Sequence, residues 1–87
     1  MTKYIIEETV RRIITNQLIV NEDYIRLDSQ LELDLGADSL DLVEIIVALE
    51  EEFEVNINEK HIANMPRSEC TVQAIVNYIA KELDVEQ

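Results

Sequence analysis

The sequence predicts an all-α domain, a four-helix up-down bundle of three main helices and a short third one, and three observations predict it. Apolar residues recur at helical spacing in three separate segments. No segment alternates apolar and polar residues with the period of two that a half-buried strand needs. The chain has one Gly and one Pro among 87 residues, while Glu, Leu, Ile and Val run on without a breaker.

The first helix spans about Lys3 to Leu18, where Ile6, Val10, Ile13 and Ile14 share a face. Thr2 is available as its N-cap, and Glu7 and Glu8 fall early in it. Residues 21–36 have no long period, so they read as a loop pinned by Tyr24, Ile25, Leu27, Leu31, Leu33 and Leu35. A loop of that length in a small domain is usually functional.

The strongest helix runs from Ser39 to Glu54. At 100° per residue, Leu42, Ile46, Leu49 and Phe53 form a narrow stripe for the core, and Leu40, Glu44, Val47 and Glu51 form a second stripe on the opposite side. A helix needs only one buried stripe. The second is either scattered surface hydrophobes or a surface that meets a partner. Asn58 caps a short helix through about Ala63, and Met65-Pro66 then forces an extended or turn geometry. Thr71 caps a last helix in which Val72, Ile75, Val76, Ile79 and Leu83 repeat at i, i+3, i+4, i+7 and i+11.

A chain of this length is a single domain, 1–87, that buries about 60% of its unfolded surface. Its apolar content of 47% argues against disorder despite 30% charged residues. Cys70 is the only cysteine and lacks neighbours at metal-ligand spacing, so no internal disulfide or metal site is expected and a reducing compartment is. The opening MTKYIIEETVRR is interrupted by charge too soon for a signal peptide or membrane span, and the expected location is the cytoplasm.

A formal charge of -12 and a pI near 4.2 disfavour nucleic acid and anionic membrane as partners and favour basic protein surfaces. Between Arg26 and Lys60 lie eleven acidic residues and no basic one. Such a run is either a solvated face that aids solubility or a recognition surface.

Gly36 stands three residues before Ser39, where the loop meets the strongest helix, in the run Asp34-Leu35-Gly36-Ala37-Asp38-Ser39-Leu40. Asp38 or Ser39 is an ordinary N-cap by local chemistry, and Asp38 and Asp41 are spaced like a capping box with Asp in place of Glu. A hydroxyl at a helix start also suits a phosphate ester, whose anion would face free backbone N–H groups and the positive end of the helix dipole. A serine hydrolase is not indicated, since G-x-S-x-G is absent and His61 has no triad partner. His61 reads as a surface residue of the short helix, and Cys70 as a small buried hydrophobe. Paired carboxylates such as Asp34 and Asp38 do not follow the EF-hand spacing.

The stretch DLGADSLDLVEIIVALEEEF, Asp34 through Phe53, resembles the phosphopantetheine attachment region of acyl carrier proteins of the fatty acid synthase type. The D-L-G-x-D-S-L core followed at once by an acidic helix is restrictive, and weaker likeness runs through the first helix, the long loop and the Thr71 to Ile75 opening of the last helix. The resemblance implies a carrier domain with 4′-phosphopantetheine, taken from coenzyme A by a holo-acyl-carrier-protein synthase or other phosphopantetheinyl transferase, on Ser39.

It also implies partner recognition by Asp38, Leu40, Asp41, Glu44, Val47, Glu50 and Glu51, which would meet basic docking patches on fatty acid or polyketide synthase enzymes. Ile46, Leu49, Ile57, Ile62, Val76 and Ile79 are candidates to line a shelter for the acyl chain, and they serve equally as plain core. The implied carrier is a non-catalytic monomer without stable membrane association. Departures from the pattern are a longer segment between Ile57 and Thr71, Asn58 where a proline is frequent, Met65-Pro66-Arg67 as added loop, and Val47 in place of a common methionine. They leave open a specialised aminoacyl, peptidyl or secondary-metabolite carrier. An unmodified acidic helical adaptor for a basic partner is the alternative of a different class.

Overall fold

The computed structural model describes residues 2–85, and among them it contains four α-helices: α1 (Lys3–Leu18), α2 (Ser39–Phe53), α3 (Glu59–Ala63) and α4 (Val72–Glu82). Short 3₁₀ turns at Glu22–Tyr24 and Arg67–Glu69 sit in the two longer connections. The described residues include no strand, only one isolated antiparallel bridge between Gln30 and Thr71. The all-α bundle expected from periodicity is the fold observed.

Each helix starts where a short polar side chain can cap it. Thr2 Oγ1 accepts from the Ile5 amide at 3.3 Å, Asn58 Oδ1 from the Lys60 amide at 3.0 Å, and Thr71 Oγ1 from the Ala74 amide at 3.1 Å. α1 packs against both α2 and α4. Ile6, Val10 and Ile14 from α1, Ile45 and Leu49 from α2, and Val72, Val76 and Ile79 from α4 are nearly or completely buried.

Two expectations from the sequence need correction. The core stripe of α2 includes Ile45, which is 1% exposed, while Leu42 is only half-buried. The reason is the row of α2 that faces α1: Gln17 reaches Asp41 and Glu44, and Arg12 reaches Glu52, which turns Ile45 inward between them. The long loop is pinned by fewer residues than expected. Ile25 and Leu31 are fully buried and Leu27 and Leu35 half-buried, but Tyr24 and Leu33 are 75% and 57% exposed.

That loop is hung on the first turn of α4. The Val72 amide donates to Ser29 O at 3.0 Å and the Gln73 amide to Leu27 O at 2.8 Å, while the Leu31 amide donates to Cys70 O at 3.0 Å. The first two bonds satisfy helix N–H groups that have no carbonyl one turn back. On the other side, Arg11 Nη2 donates to Ile25 O at 2.7 Å and ties the loop to α1.

Gly36 has φ of 76°, and a Cβ added there would meet nothing within 4 Å. Glycine is favoured there by the backbone conformation rather than by space. Gly36→Ala is therefore expected to destabilise the fold by about 1 kcal/mol, read as a lowered urea midpoint with unchanged slope. Because carboxylates so outnumber cations, Tm should rise as salt increases from about 0.01 to 0.5 M, and further with Mg²⁺. A Tm independent of salt in a calorimetric series would contradict that.

Candidate functional site

Ser39 is the first residue of α2 and is exposed. Its placement follows from the turn before it. The Gly36 amide donates to Glu32 O at 3.1 Å and the Ala37 amide to Leu31 O at 2.9 Å, which leaves Ala37 buried and Asp38 at the N-cap with extended backbone. Asp38 Oδ1 accepts from the Asp41 amide at 2.8 Å, and Asp41 Oδ2 accepts from the Asp38 amide at 3.1 Å. This is a reciprocal capping box made with two aspartates.

The capping box occupies both carboxylates with backbone donors. The amides of Ser39 and Leu40, one turn too early for helical partners, remain at the positive end of the dipole. The Ser39 hydroxyl has no hydrogen-bond partner among the described residues. An anion attached to it would find donors on its own helix.

Beside Ser39 opens a cleft of about 510 Å³. Leu42, Val43 and Ile46 from α2, Ile62 and Ala63 from α3, and Met65 and Cys70 from the following loop give it an apolar wall. Its charged lining is Glu32, Glu59, Lys60 and Arg67, and Arg67 Nε pairs with Glu32. Met65 and Arg67 belong to the segment that sequence reading treated only as extra loop. Nothing local marks them as cleft residues, because the chain brings them there from a remote position.

Of the six residues considered for an apolar shelter, Ile46 and Ile62 line this cleft. Leu49, Ile57 and Ile79 join them, with Ile75 and Tyr78, around a second void of about 10 Å³. That void has room for about one water. Val76 lines neither space and is simply core.

The residues considered for partner contact divide into two groups. Leu40, Glu44, Val47 and Glu51 are exposed, as are Asp38 and the neighbouring Val43. Asp41 and Glu50 are half-buried and have internal work: Glu50 Oε2 accepts from the Ile57 amide at 2.9 Å. The Tyr78 hydroxyl accepts from the Asn58 amide at 3.1 Å, so both residues leading into α3 are held by side chains of larger helices. His61 is exposed and its ring centroid lies 5.7 Å from that of Tyr78.

A small helical domain with a free hydroxyl at a helix start, beside an apolar cleft and an acidic face, has the form of a carrier domain. Residues 8–68 match the family model described as the phosphopantetheine attachment site. A protein of Campylobacter concisus (strain 13826) described as "Acyl carrier protein" is 43% identical over 74 residues, which is 85% of this chain and 91% of that one. The chain belongs to the acyl carrier protein family, whose prosthetic group is phosphopantetheine. No helix among the described residues is long and apolar enough to cross a membrane.

Burial raises the Cys70 thiol above its ordinary pKa, and the negative charge of Glu32 adds to the shift. The folded state therefore favours the neutral thiol. Its stabilising contribution is complete below the unfolded pKa and is lost as pH rises through the folded value. Alkylation of Cys70 by iodoacetamide at pH 8 is expected to be roughly ten-fold slower in the native chain than in urea. Equal rates in a mass-spectrometric time course would contradict this.

Proposed function

We propose that this chain carries acyl groups as thioesters on 4′-phosphopantetheine joined to Ser39, and presents them to successive enzymes of fatty acid, related lipid or polyketide synthesis. The observation that carries the reading is the position of Ser39: exposed, first in α2, and on the lining of the apolar cleft. The prosthetic group supplies a flexible arm ending in a thiol, which forms the thioester. Everything else is the work of the chain's own residues.

The N-terminal amides of α2 would serve as donors to a phosphodiester on Ser39, and the capping box keeps Asp38 and Asp41 closed on backbone donors. Leu42, Val43, Ile46, Ile62 and Met65 offer apolar surface next to the point of attachment. A long alkyl chain is costly to leave in water, at about 0.8 kcal/mol per CH₂. The inner void of Leu49, Ile57 and Ile79 becomes a shelter only if α3 moves outward, since its present size admits no chain.

Docking falls to the outward side of α2. Leu40, Val43 and Val47 provide apolar contact, and Asp38, Glu44 and Glu51 provide charge that steers basic partners to the Ser39 end. Asp41 and Glu50 contribute to the same negative field while bonded within the fold. Steered association of this kind is fast and salt-sensitive, which suits brief visits to several enzymes. The chain itself performs no chemistry and acts as a monomer in the cytoplasm.

The placement of Met65 and Arg67 on the cleft favours a specialised cargo as the second reading, because both belong to the segment that departs from the family pattern. Incubation with coenzyme A and a phosphopantetheinyl transferase of broad specificity is expected to add one phosphopantetheine mass. Ser39→Ala should take up none while keeping its helical circular dichroism. No mass gain on the native chain defeats the proposal, and intact-mass analysis of protein from its native host identifies the cargo.

A further inference from the structure

We propose that Ile19 is a docking anchor for the enzyme that attaches the arm, extending the recognition surface from α2 onto the end of α1; this rests on the carrier reading above. Ile19 is the C-cap of α1, with φ of 55° and ψ of 48°. A side chain branched at Cβ is poorly suited to that left-handed conformation, where glycine or asparagine is the usual occupant. Among the described residues, two other non-glycine residues share it, Glu54 and Asp84, and both are polar and unbranched at Cβ. Ile19 alone combines the strain with an apolar side chain that is 89% exposed.

Neither cost is recovered inside the fold. An isoleucine in water gains nothing from burial, and its backbone energy would fall if glycine took its place. A strained residue that holds apolar surface outward is explained by a contact made outside the molecule.

The location of Ile19 identifies that contact. Two residues earlier, Gln17 Nε2 donates to Asp41 Oδ1 at 3.5 Å and to Glu44 Oε2, so the last turn of α1 lies against the first turns of α2. Ile19 therefore stands at the Ser39 end of the molecule. Glu22 and Asp23, both exposed, lie three and four residues further on, and the next cation along the chain, Arg26, is paired with Asp28 at 3.3 Å. An apolar point close to Asp41 and Glu44 at the end of α1, with Glu22 and Asp23 following in the chain, fits an apolar pocket flanked by basic side chains. The enzyme that must reach the Ser39 hydroxyl approaches this end, whereas a second copy of the chain would bring the same negative charge against it.

The test uses the full apo chain with coenzyme A and a purified phosphopantetheinyl transferase, comparing native protein with Ile19→Gly and Ile19→Val. Ile19→Gly should raise Tm by about 5 °C and lower kcat/KM for modification about ten-fold, through KM. Ile19→Val, still apolar and branched, should leave both near native values. Modification of Ile19→Gly at the native kcat/KM overturns the proposal, as does a native dimer that this substitution dissociates, which would assign the surface to self-association. Failure of the native chain to accept the arm defeats the carrier reading itself and this proposal with it. A stabilised variant that is modified poorly cannot be explained by misfolding.

Discussion

The structure depends on one crossing, where the loop before α2 lays its carbonyls against the first turn of α4. The bonds from Val72 to Ser29 O and from Gln73 to Leu27 O give partners to two amides that helix geometry leaves without any. In return, the Leu31 amide finds Cys70 O, and the Leu31 side chain enters the core. From Leu31 the path to the site is short: its carbonyl accepts from Ala37, and Asp38 and Ser39 follow. The helix that begins at Ser39 is therefore registered against α4 through backbone bonds, not only through its own packing.

The same economy governs the acidic residues. A chain with so few cations cannot neutralise its carboxylates by ion pairs, and the pairs it makes, such as Arg12 with Glu52 at 3.5 Å, are exposed and individually weak. Several carboxylates are instead used as hydrogen-bond acceptors. Asp38 and Asp41 cap α2, Asp34 Oδ2 accepts from the Gln30 amide at 2.7 Å, and Glu50 holds Ile57. Each bond fixes a turn without cancelling the charge. The negative field around Ser39 is thus compatible with an ordered loop, and it remains available to steer a basic partner.

How much of this was legible in the sequence follows from the distance over which each feature is determined. Thr2, Asn58 and Thr71 cap the helices they were expected to cap, and Asp38 takes the cap that the sequence left open between it and Ser39, because a cap is decided within four residues. Ile45 was missed because its inward turn depends on how α2 faces α1, through Gln17 and Arg12. Tyr24 and Leu33 were placed inside by their apolar character alone, whereas the loop has only enough core contact for Ile25 and Leu31. The seriousness of Gly36 was readable, since it is the only glycine and precedes the helix. Met65, Arg67 and Cys70 as cleft residues were not, because they reach Ser39 only after the chain has turned through α3.

These differences in determination correspond to differences in stability. α1, α2 and α4 share an apolar core, but α3 contributes only Ile62 to it. Two bonds to side chains, from the Asn58 amide to the Tyr78 hydroxyl and from the Ile57 amide to Glu50, then hold α3 at its entrance. A segment with one buried anchor and a few solvent-near bonds opens at far lower cost than the global fold. The molecule thus places Ser39, the proposed attachment point, on a helix packed into the shared core and the least anchored element across the cleft from it. The proposed carrier role would use that division: an arm on Ser39 would be met in one place by each enzyme, while the wall beside it would yield to cargo of changing size.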